Sequence, residues 1–125
     1  MTRIFLFVAA ILGGISVAAG AFGAHALKEK LSEQAISIFE TAARYQMYHA
    51  LALLLVALLL SRTETAQSTL TAAGISFIAG VVIFSGSLYS LSFTGIKWLG
   101  AITPLGGVGF LVGWGCLAIA SFSFK

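Results

Sequence analysis

The chain has 125 residues, of which 59% are hydrophobic and 9% charged, with a mean hydropathy of +1.04. Soluble domains carry about a quarter of their residues as charges, so this composition points to a polytopic membrane protein with room for three or four spans of about 20 residues and none for a separate soluble domain. The formal charge of +3 rests on seven scattered basic residues, which excludes the basic patch that nucleic-acid binding needs, and a single cysteine, Cys116, excludes an intrachain disulfide and a cysteine-rich metal site.

The first apolar stretch runs from about 4 to 24. A secretory signal peptide would use Arg3 as its basic start, Ile4 to Leu12 as its apolar core and Ala19-Gly20-Ala21 or Ala24-His25-Ala26 as its cleavage site. The apolar character continues past an early cleavage point, however, and Gly13, Ser16, Gly20 and Gly23 recur at helix-packing spacings. The stretch is therefore read as a retained span. Six charges follow close together: Lys28, Glu29, Lys30, Glu33, Glu40 and Arg44. A charge at a helix centre in lipid costs about 2.5 to 3.5 kcal/mol, so this segment stands in water or at the interface.

Residues 32–48 read as an amphipathic helix, with Ser32 as N-cap and Glu33 in the first turn, where its charge favours the helix dipole. Glu33, Ser37, Glu40, Arg44 and Tyr48 share one arc, and Ala35, Ile36, Ile38, Phe39, Ala42 and Ala43 share the other. Glu40 and Arg44 are an i,i+4 ion pair in the favourable order, worth a few tenths of a kcal/mol. No Gly or Pro interrupts the pattern before the second span at 46–60, so one long helix is expected to cross the interface and then the membrane.

Ser61 to Thr69 is a polar loop. The third span, 70–91, carries a small-residue stripe that includes Gly80 and Gly86, which suits close helix packing better than a pore. Lys97 and Trp98 then mark a headgroup boundary. Thr103-Pro104 reads as N-cap and first helical position, which starts a fourth span at 104–122 with Gly106, Gly109 and Gly113 near one face; a kinked helix that begins earlier is the alternative. The expected fold is all-α, an integral membrane bundle of four transmembrane helices in a single domain.

Four antiparallel crossings collect the unusual residues on one side of the membrane: the Gly20–His25 block, Tyr45–His49, Phe84–Tyr89 and Thr103–Gly107. The candidate polar cluster there is His25, Tyr45, Gln46, His49, Ser85, Ser87 and Tyr89. Two histidines are too few for a structural zinc site, no acidic residue is free to orient a histidine beside a serine nucleophile, and the glycine-rich blocks lack the endings of a phosphate loop. No metal, cofactor or catalytic residue is expected. The basic residues divide three (Arg3, Arg62, Lys125) against four (Lys28, Lys30, Arg44, Lys97), a near-balance that barely orients the chain; the free amino terminus beside Arg3 favours both termini in the cytoplasm.

These four blocks, with the Gly113-Trp114 step, resemble domain-of-unknown-function family 423, which includes the eukaryotic transmembrane protein 256. The resemblance covers nearly the whole chain. It implies a small four-helix integral membrane protein, in bacteria of the inner or plasma membrane, and it places the glycine-alanine block of the first span in the family's retained core. It supplies no mechanism and no catalytic residue. The expected role is non-enzymatic, acting in the lipid bilayer through helix packing with a second copy or a membrane-protein partner. The alternative is a small transporter, channel or lipid- or small-ligand-binding unit.

Overall fold

The computed structural model describes all 125 residues apart from the side chain of Ala24. Four helices are long and apolar enough to cross a membrane: α1 (Thr2–Leu27), α2 (Glu33–Arg62), α3 (Gln67–Thr94) and α4 (Leu99–Ala120, continued by a 3-10 turn, Ser121–Ser123). No strand is present among the described residues.

Helix α1 changes pitch over Ala18–Gly23, where it widens into a π-helix before a last α-helical turn at Ala24–Leu27. π-turns are rare and recur at functional sites. The Leu27 carbonyl then accepts the N–H groups of Lys30 and Leu31, which closes the helix. Ser32 leaves the helical region with ψ of 161°, and its hydroxyl accepts the Ala35 N–H at 3.1 Å. This cap satisfies a donor that the first turn of α2 would otherwise leave unpaired.

From there α2 is unbroken for 30 residues, about 45 Å at about 1.5 Å per residue. A hydrocarbon core is about 30 Å thick, so the first turns stand outside it. Its buried residues, Phe39, Ala42, Ala43, Gln46, His49, Ala50, Ala52, Leu53, Val56, Ala57 and Leu60, follow the i, i+3, i+4 pattern of one packed face.

Helix α3 begins after Ala66, a non-glycine residue held at φ 58°, and ends at Gly95, whose φ of 69° lets its N–H reach back to the Leu91 carbonyl at 2.8 Å. Helix α4 follows the alternative reading, an earlier start, over the one that begins at Pro104. It starts at Leu99, and Pro104 lies inside it. The bonds Leu99 N to Ile96 O, Gly100 N to Lys97 O and Ala101 N to Trp98 O form a first turn well ahead of the proline. The ring is tolerated one turn in, where the carbonyl it crowds belongs to Gly100. Thr103 consequently caps nothing, and its hydroxyl turns to a neighbouring helix.

Helix α1 packs along α2, α2 along α3, and α3 along α4, while no comparable seam joins α1 to α4 among the described residues. The four helices thus form a curled row with two free edges. Its core gathers Phe5, Leu53, Val56, Leu60, Leu70, Phe77, Val81 and Phe110. The α3–α4 seam is the tightest. A Cβ on Gly106 would lie 2.3 Å from the backbone nitrogen of Phe84, and one on Gly109 would lie 3.3 Å from Gly80 Cα. The rings interlock reciprocally: Phe110 covers Gly80 and Phe77 covers Gly113. With no hydrophobic drive between helices in lipid, such backbone proximity is the main source of adhesion.

Candidate functional site

Five side-chain hydrogen bonds tie the helices together toward the end where α1 finishes and α2 begins. Gln46, 3% exposed, donates from Nε2 to the Leu12 carbonyl of α1 at 2.9 Å and accepts at Oε1 from the Tyr89 hydroxyl of α3 at 2.9 Å. Ser85 donates to the Ala42 carbonyl at 2.8 Å. The Ser87 and Thr103 hydroxyls share a bond of 2.6 Å between α3 and α4. Trp114 Nε1 donates to His49 Nε2 at 3.1 Å between α4 and α2. Every buried side-chain nitrogen and oxygen among the described residues has a partner, as a low-dielectric interior demands.

The His49 tautomer follows from its partners. An indole N–H can only donate, so Nε2 must carry the lone pair; Nδ1, 2.7 Å from the Tyr45 carbonyl, must then carry the proton, because a carbonyl can only accept. The imidazole lies flat on Phe110, with centroids 3.6 Å apart and planes 7° from parallel, and meets Trp114 edge-on at 6.0 Å. His49 is therefore a neutral ring filling both of its valences inside an aromatic wall.

Of the residues singled out in the sequence, Gln46, His49, Ser85, Ser87 and Tyr89 enter these interhelical bonds. Tyr45 joins through its carbonyl and through its ring, 4.8 Å from Phe84. His25 does not join them; it is exposed in the last turn of α1. Among the described residues no group of three or more His, Cys, Asp and Glu is placed to hold a metal ion. The glycines divide. Gly80, Gly106, Gly109 and Gly113 lie in the α3–α4 seam, Gly23 sits under Phe39, and Gly13 barely reaches Ala50. Gly20 and Gly86 face open space. Gly74, which takes the ring of Phe5, was not singled out in the sequence. Nor was the pairing of Trp114 with His49, though an indole N–H inside an apolar span requires an acceptor nearby.

Two hollows flank this network. Between α2 and α4 lies a groove of about 620 Å3 whose walls include Tyr45, Tyr48, His49, Phe84, Pro104 and Trp114. Between the π-helical end of α1 and α2 lies a smaller cleft of about 410 Å3, bordered by Glu40 and Arg44. The groove is aromatic and nearly without charge, whereas the cleft carries one charge of each sign.

Residues 19–107 match the profile of a family described as protein of unknown function (DUF423). The chain belongs to this family. It is 45% identical over 122 residues, 98% of both chains, to a UPF0382 membrane protein of Staphylococcus aureus, and 43% identical over 122 residues, again 98% of both chains, to the UPF0382 membrane protein YwdK of Bacillus subtilis. No solved structure matches the chain. The matched DUF423 segment runs from the π-helical end of α1 to the first turns of α4, and so contains the Tyr89–Gln46, Ser85–Ala42 and Ser87–Thr103 bonds but neither Leu12, the other partner of Gln46, nor Trp114. The DUF423 protein is thus an all-helical membrane protein, of a family to which no molecular function is attached.

Proposed function

We propose that this protein is a non-enzymatic unit of the plasma membrane that works by associating within the bilayer, with a second copy or with another membrane protein, through the free edges of its helix row. The observation that carries the reading is the open architecture. Helices α1 and α4 share no seam with each other of the kind that joins the successive pairs, and Gly14 on α1 and Gly115 on α4 meet nothing within 4 Å. Small residues on uncovered helix faces let another backbone approach closely. The polar residues support the same reading, since Gln46, His49, Ser85 and Ser87 are consumed by helix ties and leave no nucleophile beside a free base.

The test is the mass of the protein in mild detergent and in lipid nanodiscs. Assembly gives a multiple of the 13.0 kDa protomer or a stoichiometric second protein, and Gly115→Leu or Gly14→Leu reduces it without changing helix content. A monomer under both conditions, with no associated protein, refutes the proposal. The aromatic groove between α2 and α4 favours a second reading, an apolar small ligand entering from the lipid. Saturable binding or flux in liposomes, abolished by His49→Ala, would support it at the expense of the first.

A further inference from the structure

The charged cleft between α1 and α2 matches one chemistry better than any other on the molecule. It is bordered by Ser16 and Gly20 of α1 and by Glu40, Ala43, Arg44 and Met47 of α2. From Arg62 back to Arg44, α2 rises about 27 Å, close to the full thickness of a hydrocarbon core of about 30 Å. With Arg62 at one boundary, Arg44 therefore lies at the other, and Glu40 lies about 6 Å farther out. Side chains on a helix lean toward its N-terminus, which for α2 is the outward direction. Arg44 thus extends its guanidinium to the phosphate level, with Glu40 held beyond it.

We infer that this cleft is a binding site for the headgroup of an ethanolamine phospholipid, with Arg44 on the phosphate and Glu40 on the ammonium. The order of charges along the membrane normal decides the class. In such a lipid the phosphate is the deeper group, and the ammonium projects outward on a short arm, so cation-deep and anion-outward is the complementary order. An acidic phospholipid satisfies Arg44 and leaves Glu40 facing a negative charge. A choline headgroup offers no N–H to the carboxylate. Guanidinium–phosphate and ammonium–carboxylate contacts are both charge-assisted hydrogen bonds, and an exposed i,i+4 pairing of Glu40 with Arg44 that would compete with them is weak. The π-helical turn of α1 opposite, with Gly20 exposing no side chain, leaves room for the headgroup.

The test is native mass spectrometry of the full chain offered equal amounts of phosphatidylethanolamine, phosphatidylcholine and phosphatidylglycerol with identical acyl chains. The wild type retains phosphatidylethanolamine over the other two by about tenfold, as one charge-assisted contact implies. Arg44→Gln loses both phosphatidylethanolamine and phosphatidylglycerol, whereas Glu40→Gln keeps phosphatidylglycerol and loses the preference for ethanolamine. The swapped double variant Glu40→Arg, Arg44→Glu retains both charges and the helix content but reverses their order, so the ethanolamine preference stays absent. Equal retention of phosphatidylcholine and phosphatidylethanolamine by the wild type overturns the inference, and this reading needs no variant to fold. Full restoration by the swap overturns it as well, as does displacement of the lipid by inorganic phosphate at millimolar concentration.

Discussion

Removing the carboxamide of Gln46 tests whether the polar ties hold the helix row together. Gln46→Met keeps length and volume but breaks two interhelical bonds, to Leu12 O and from Tyr89 Oη, each 2.9 Å long. Hydrogen bonds between helices in lipid average about 0.6 kcal/mol and reach about 1.7, and stranding the Tyr89 hydroxyl adds about 1 to 3 kcal/mol of lost solvation. The Leu12 carbonyl is the less affected end, because Ser16 Oγ also donates to it at 2.9 Å. Gln46→Met should therefore cost about 2 to 3 kcal/mol. Tyr89→Phe removes one bond and leaves Oε1 unpaired, for about 1 kcal/mol. Because the two variants strand each other's partner, the double variant should be milder than their sum by about 0.6 to 1.7 kcal/mol. Reversible unfolding in mixed micelles, followed by circular dichroism, gives the three free energies. Additivity within about 0.3 kcal/mol would mean that Tyr89 and Gln46 do not share this bond, and the account of the network would fail.

The glycine seam predicts a contrast within one helix pair: Gly106→Ala drives a Cβ into the Phe84 backbone and costs about 1 to 3 kcal/mol or more, while Gly86→Ala, facing open space, changes stability by less than about 0.5 kcal/mol in the same unfolding assay. Ala66→Gly relieves a left-handed backbone at φ 58° and should stabilise by about 1 kcal/mol; a lower unfolding midpoint would contradict this. Nitrogen-15 NMR of labelled histidine should show His49 with its proton on Nδ1, and Trp114→Phe should shift the Nε2 resonance by removing its donor; an Nε2-protonated ring would contradict the hydrogen-bond assignment. Four crossings put both termini on one side, so reporters fused at either end should be active in the same compartment, the cytoplasm; activity of the C-terminal fusion only outside it reverses the orientation.

The architecture was legible because lipid simplifies the reading: each long apolar run must be a helix whose backbone bonds are internal. The Ser32 cap and the unbroken α2 were legible for a local reason, a polar cap residue before a run with no helix breaker. The start of α4 was legible only as the second of two readings. Thr103-Pro104 carries the local signature of a helix N-terminus, but the Ile96–Ala101 turn forms first and Ser87 supplies a tertiary partner for the Thr103 hydroxyl, so the local preference yields. The glycine seam was half-legible. Spacing marks which glycines share a face, but whether that face meets another helix depends on the order of the row, which placed Gly106 against α3 and left Gly20 and Gly86 uncovered.

The distribution of ties explains why the two ends of the molecule differ. Toward the Arg62 end the helices meet mainly through apolar groups, with Phe5 seated on Gly74 and Leu53, Val56, Leu60 and Leu70 fully or nearly fully buried, and one polar tie, from Gln67 Nε2 to the Leu60 carbonyl at 3.2 Å, joins α3 to α2. Toward the other end α3 and α4 stay in close backbone contact at Gly106 and Phe84, polar bonds join the remaining seams, and the groove and the cleft open beside α2. A purely apolar seam at this end would close those hollows, since lipid-filled gaps give helices no reason to stay separated. Polar ties fix distance as well as contact, because a bond at 2.9 Å is lost if the helices slide or tilt by little more than an ångström. The Gln46, Ser85 and His49 bonds therefore act as struts that keep the groove and the cleft beside α2 open to the bilayer, at the end where headgroup binding is proposed.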